Sequence, residues 1–143
     1  MKSLEIKFAD NKKELDKIIL IRKTVFVEEQ NVPLDLELDG LDDAAKHIIA
    51  YLGEKPVGCA RLRINKKKAK LERVAILKDY RYKGFGSQIV NSVIDYCRNN
   101  NLREIYLHSR IDTTDFYKKL GFKTRGKVFL DAGIKHVEMF LNV

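Results

Sequence analysis

Tryptophan is absent from the 143 residues, and cysteine and proline occur only twice each. Cys59 and Cys97 fall in runs that read as a strand and a helix, with no CxxC spacing and no Cys/His cluster. A disulfide framework or a metal centre therefore has no support, no metal is expected, and both thiols are expected as buried small side chains. No Ser/Gly-rich linker, low-complexity tract or fixed-period repeat interrupts the chain, which argues against an array or a two-domain layout. Long hydrophobic runs are missing too: Ile18–Ile21 and Val74–Leu77 fall far short of the ~20 residues that cross a bilayer. Nothing near the N-terminus has the order of a signal peptide. The expectation is one domain over residues 1–143, soluble and cytoplasmic, with no membrane partner. Its 45% hydrophobic content suffices for one core.

Charge is plentiful and uneven. Lys and Arg number 28 against 20 Asp and Glu, a formal charge of +8, which turns attention to anionic partners. Between Thr24 and Ala45 there is no cation, while Glu28, Glu29, Asp35, Glu37, Asp39, Asp42 and Asp43 supply seven of the acids. The remainder then holds 28 cations against 13 acids, a surplus of 15. A reaction joining an anionic molecule to a cationic one suits that split better than a uniform nucleic-acid face. Lys66-Lys67-Lys68-Ala69-Lys70 is the strongest basic run, but it has no interleaved aromatics and reads as a solvated turn, so nucleic acid is not the expected partner.

Periodicity predicts the elements. Leu4, Ile6 and Phe8 alternate with Glu5 and Lys7 as a strand with one buried face. Leu15, Ile18, Ile19, Arg22, Val25 and Phe26 recur at helical spacing from about Asn11 to about Glu28, with Glu14 placed as in a capping box. Glu28–Lys46 is a long acidic loop with at most a helical turn, and loops of that length are usually functional. Lys46–Ile64 reads as a hairpin around Gly53-Glu54-Lys55-Pro56, and a third strand follows the lysine turn. Ile89, Val90, Val93, Ile94 and Cys97 mark one apolar helical face ending at Asn99. A short strand over Arg103–Ser109, a short helix with Gly121 at its C-cap, and two strands around Gly126–Gly133 complete an α/β (α+β) domain with a mixed sheet.

Between the third strand and the long helix stands Arg81-Tyr82-Lys83-Gly84-Phe85-Gly86. The first amides of a helix have no intrahelical acceptor, and the dipole adds partial positive charge there. Gly84 and Gly86 would let a phosphate approach those amides, with Arg81 and Lys83 beside it. The run lacks the Lys-Ser/Thr of a P-loop and the third glycine of a dinucleotide fingerprint.

Val74-Ala75-Ile76 followed by this run resembles "(V/I)A(V/I)xxxxRxxGxG", the acyl-CoA-binding motif of the GNAT superfamily of N-acyltransferases. "DFYKKLGF", Asp115–Phe122, is similar to the family's "FYxKLGF", and Ile21–His47 resembles the "IRxxVFVxEQxVPxxxExDxxDxxAxH" of a subgroup of small bacterial acetyltransferases. The resemblance covers nearly the whole chain. It implies a mostly antiparallel sheet splayed between its fourth and fifth strands and flanked by helices, and acetyl transfer from acetyl-CoA to a primary amine in a ternary complex. It also implies that Val74, Ala75 and Ile76 line the pantetheine arm, that Arg81, Tyr82, Lys83, Gly84, Phe85, Gly86 and Ser87 hold the pyrophosphate, and that Tyr117 meets the sulfur as general acid. Relatives carry "LHAQ" where this chain has "LHSRIDTTDFY", so the cofactor's distal edge is expected to be bound differently, with Arg110 either an added phosphate contact or a solvated helix-entry cation.

Amine attack needs a base. Glu72, two residues before Val74 and expected to share a face with it and Ile76, is the candidate catalytic base. Glu28, Glu29, His47 and His108 are expected around the acceptor, and the acidic loop is expected to attract a protonated amine. His136 lies in a final-strand run, and a histidine standing alone is most often a satisfied polar residue. Small-molecule and peptide amines both fit as acceptors, and a homodimer through the C-terminal strands accords with the implied fold. A silent coenzyme A-binding module of the same fold is the alternative, followed by the basic nucleic-acid binder.

Overall fold

The computed structural model describes residues 3–143. Its order is β1 (Leu4–Phe8), α1 (Lys12–Arg22), α2 (Leu34–Glu37), β2 (Lys46–Leu52), β3 (Lys55–Asn65), β4 (Lys68–Ile76), α3 (Phe85–Asn99), β5 (Glu104–Arg110), α4 (Thr114–Lys119), β6 (Lys123–Asp131) and β7 (Ile134–Asn142). The strands form one seven-stranded sheet in the order β1-β2-β3-β4-β5-β7-β6. Every pair is antiparallel except β4–β5. Among the described residues no helix is long and apolar enough to cross a membrane.

Asn11 caps α1 by accepting the Glu14 amide at 2.9 Å, and Glu14 reaches back to the Asp10 amide at 3.4 Å, one residue short of a closed capping box. The helix is α only to Arg22; Lys23–Glu29 continues it with π winding. Sequence periodicity predicts an unbroken α-helix to about Glu28. The departure covers Thr24-Val25-Phe26-Val27, a stretch rich in β-branched residues, which lose side-chain freedom against the preceding turn. Val25 stays in the core while Phe26 reaches a cleft.

The two helical layers bury opposite faces of the sheet. On one side Ile89, Val90, Val93, Ile94 and Cys97 of α3 pack with Leu62, Leu71, Leu107 and Met139. On the other, Ile18, Ile21 and Val25 meet Ile49, Cys59 and Ala75. α1 covers only β2, β3 and β4, which leaves that face open over β5, β7 and β6.

Two irregularities position the site. β4 and β5 pair only at Lys68–Glu104, Ala69–Ile105 and Lys70–Tyr106, and beyond Lys70 the strands part. On its other edge β4 carries a bulge: Arg61 pairs Glu72 and Cys59 pairs Ala75, so Arg73 and Val74 together oppose Ala60. Arg73 takes φ +56° there, left-handed backbone held by its surroundings. The final turn lies at Ala132-Gly133, while Gly126, expected in the connection, sits within β6 with φ +80° where the pairing register breaks between Arg125 and Phe129.

Candidate active site

A cleft of about 1010 Å³ opens where β4 and β5 separate. It is lined from both faces of the sheet. Residues directly paired across strands share a face, so Arg63, Lys70, Tyr106, His108 and Glu138 stand on the α1 face. Val74, Ile76, Phe116 and Tyr117 pack with the α3-side core. The parted strands thus make a passage from one face to the other.

One end of the cleft is the N-terminus of α3. Gly84 occupies the N-cap with φ +80°, no side chain caps the helix, and no acid lies in the first turn. The first helical hydrogen bond runs from the Gln88 amide to the Gly84 carbonyl at 3.1 Å, so the amides of Phe85, Gly86 and Ser87 have no intrahelical acceptor. Gly84 is needed for its backbone conformation and opens onto free space. Gly86 answers to packing as well: a Cβ there would stand 3.3 Å from the Phe116 ring of α4. This bare, uncapped amide cluster, open to a cleft and free of carboxylate, fits a diphosphate.

The cations of the motif divide. Arg81 donates through Nε to the Ile76 carbonyl at 2.8 Å and through Nη2 to Glu29 at 2.9 Å, so it clips the end of β4 to the π-wound segment rather than standing free. Tyr82, with φ +63°, is fully exposed at the cleft rim. Lys83 lies outside the cleft lining. Arg110, the last residue of β5, lines it, pairs with Asp112 at 3.1 Å and keeps a buried Nε without a protein partner.

Tyr117 sits between the Phe116 and Phe122 rings, at 4.9 and 5.8 Å, and faces the cleft. Burial pushes its hydroxyl up to about 12, so it carries its proton throughout the physiological range.

Glu72 departs from expectation. The bulge after it takes up one residue, so Glu72 faces α1 while Val74 and Ile76 face α3. Its side chain is only 8% exposed, and it accepts from Arg61 at 2.7 Å and from Arg63 Nε. Burial favours its neutral form, but the Arg63 and Arg61 hydrogen bonds outweigh that and hold it below the usual carboxylate range. A carboxylate so engaged is a poor proton acceptor near neutral pH.

The acidic loop is also spoken for. The buried Arg22 donates to Glu37 at 2.7 Å and to Asp42 at 2.7 Å. Arg61, also buried, holds Asp39 at 2.8 Å on two nitrogens and Asp42 at 3.0 Å. Arg73 approaches Glu37 at 2.9 Å and Asp39 at 3.3 Å. Four of the seven loop acids, Glu29 included, therefore answer to arginines of this chain and do not form a field for a cationic acceptor. Glu28 and Glu29 lie outside the cleft lining, as does His47, buried on β2 with Nε2 donating to the Asp42 carbonyl at 2.8 Å.

His108 is the one expected acceptor-side residue that lines the cleft. It sits opposite Glu138 across β5–β7, Nε2 3.2 Å from Oε1, with its ring edge-on to Phe129 at 5.0 Å. Burial alone would raise the Glu138 carboxyl, but hydrogen bonds from Arg125 and His108 hold it below its ordinary value and therefore ionised. Nε2–H donates to the ionised Glu138, which in the neutral ring leaves the lone pair on Nδ1. His136 also lines the cleft, its Nδ1 donating to the Ile134 carbonyl at 2.7 Å. Sequence reading missed Glu138, Arg61 and Arg63; alternation on β3 and β7 puts them on one face, but only strand pairing says what they meet.

Known proteins share this architecture. Residues 12–143 match the family model described as an acetyltransferase (GNAT) domain. The uncharacterised N-acetyltransferase YjcF of Bacillus subtilis is 39% identical over 132 residues, 92% of this chain and 94% of that one. A crystal structure of a putative N-acetyltransferase from Lactobacillus plantarum superposes with TM-score 0.92 at 23% identity, covering 98% of each chain. A Bacillus subtilis acetyltransferase solved in complex with CoA has TM-score 0.76 at 17% identity, covering 99% of each chain.

Proposed function

The chain belongs to the GNAT acetyltransferase family, and from that premise we propose that residues 1–143 act as one N-acetyltransferase domain, moving acetyl from acetyl-CoA to a primary amine by direct transfer. The observation that carries this reading is the uncapped, acid-free N-terminus of α3 opening onto a cleft that passes through the parted β4 and β5.

The amides of Phe85, Gly86 and Ser87 would hold the pyrophosphate, with Arg110 lining the same cleft and Arg81 keeping the end of β4 in place. Val74, Ala75 and Ile76 lie where β4 has no partner strand at its β5 edge, so main-chain donors there are free to orient the acyl arm. Bound acetyl-CoA supplies an acetyl group activated as a thioester. Tyr117 holds a proton at its hydroxyl for the departing sulfur, on the α3 side of the passage. His108 Nδ1, on the opposite face, accepts the proton that the amine loses as it bonds to the acetyl carbon, with Glu138 fixing the ring. Acid and base thus stand on opposite sides of the sheet and are not interchangeable.

Exposed Val128 and Leu130 on the edge strand β6 support a homodimer through the C-terminal strands. Buried, unpaired Cys59 and Cys97 suit a reducing cytoplasm. The test of the activity is thiol release from acetyl-CoA over a panel of amines, with acetylated product identified by mass. Amine-dependent release supports transfer; coenzyme A binding without release from any amine supports the silent module.

A further inference from the structure

The charges at the acceptor end of the cleft are arranged against the acceptor that the acidic loop suggests. Glu37, Asp39 and Glu72 line the cleft, and each is held by at least one arginine. Asp131 is the one lining carboxylate without an ion-pair partner among the described residues. A polyamine or an aminoglycoside would find almost no free carboxylate here.

The cations tell the opposite story. Arg63 and Lys70 are paired directly across β3 and β4, on the cleft-lining face that also carries His108. Like charges directly opposite on neighbouring strands are unfavourable. The carboxylate beside them, Glu72, is shared: Arg61 takes one oxygen and Arg63 Nε the other. Lys70 has no ion-pair partner among the described residues, and the terminal nitrogens of Arg63 make no protein hydrogen bond there. Lys70 is moreover the last β4 residue paired to β5, at the root of the passage, and its β5 partner Tyr106 is two residues from His108. Phe26, Val32, Leu36 and Leu41 add an apolar wall to the same cleft.

The geometry points to an acceptor that carries a carboxylate besides its amine: an amino acid with an apolar side chain, its carboxylate on Arg63 and Lys70 and its amine directed to His108. Arg63 offers a planar fork of donors and Lys70 a point charge, and a carboxylate between them relieves their repulsion. The cationic amine alone would be repelled by the same pair, so selection works by rejection as well as attraction. This inference rests on the acetyl-transfer reading.

The test compares leucine with isoamylamine, the same skeleton without the carboxylate, and with spermidine, measuring kcat/KM by thiol release. The wild-type chain is expected to favour leucine over isoamylamine by about tenfold or more, the size of one charge-assisted contact. In Lys70→Gln and Arg63→Gln the leucine-to-isoamylamine ratio should collapse toward one, and Lys70→Arg should restore it. Circular dichroism checks that each variant is folded, and Lys70, at the cleft surface, carries the result if Arg63→Gln does not fold. Turnover of spermidine or isoamylamine in preference to leucine, or a ratio indifferent to Lys70→Gln, would overturn carboxylate recognition and leave acetyl transfer standing. Release with another amine of the panel but with none of these three would likewise overturn carboxylate recognition alone, whereas coenzyme A binding by calorimetry with no release from any amine of the panel would overturn both.

Discussion

Arg22 and Glu37 meet at 2.7 Å with side chains 0% and 2% exposed, fifteen residues apart in sequence. With Arg61, Asp39 and Asp42 this pair fixes the acidic segment over the cleft, so that wall of the cleft is part of the folded core rather than a free loop. Removing one partner of a buried pair strands the other charge. Arg22→Met is expected to lower unfolding stability by about 3 kcal/mol, whereas Arg22→Met with Glu37→Leu should recover much of it. Urea denaturation of both variants checks the order.

Tyr117→Phe keeps the ring between Phe116 and Phe122 and removes only the hydroxyl. A general acid contributes about a hundredfold or more, so kcat should fall by that order while coenzyme A affinity by calorimetry stays within about twofold. Since burial pushes this hydroxyl up to about 12, kcat should show no basic limb from Tyr117 below about pH 11.

His108→Gln should cost kcat/KM about a hundredfold. Glu138→Gln, which leaves His108 in place but removes the carboxylate on Nε2, should give a smaller loss. A Glu138→Gln variant with kcat/KM indistinguishable from wild type would show that the pair is structural.

Stability should fall on both sides of neutral pH. The Tyr51 hydroxyl donates to Glu14 at 2.7 Å and, with Lys7, holds that carboxyl down at about 2 from an ordinary 4.5. A depressed carboxyl stabilises the fold above its ordinary value, so this contribution is lost as pH falls from about 4.5 to about 2. Burial raises Tyr117 to about 12, and burial with Glu14 raises Tyr51 to about 12. For a raised hydroxyl the contribution is complete below the ordinary 10.0 and lost as pH rises toward about 12. Urea midpoints across pH check both limbs, and Glu14→Gln should flatten the acid one.

The glycine motif and the element order were legible because they are local: a strand run, a glycine turn and one apolar helical face sit within Leu71–Cys97. What the residues meet was not. Glu72 shares a face with Val74 only if β4 runs without a bulge, and the extra residue at Arg73 is invisible to alternation. The charge split looks like an invitation to two partners because the arginines that answer the acidic loop, Arg22, Arg61, Arg73 and Arg81, lie 15 to 52 residues away in sequence. His108 reads as an isolated histidine until β5 and β7 pair and bring Glu138, thirty residues on, beside it. Strand registry and long-range charge pairing, which no local window contains, carry the proposed base and the proposed acceptor end.

The central claim is that the first amides of α3 hold a diphosphate, and Ser87→Glu tests it with two opposed effects. A carboxylate in the first turn of an uncapped helix should leave the melting temperature unchanged or higher, yet it places a negative charge among the phosphate-facing amides. Calorimetric titration of this variant with coenzyme A should show affinity reduced by about a hundredfold or more. A folded Ser87→Glu protein that binds coenzyme A as tightly as wild type would contradict the account.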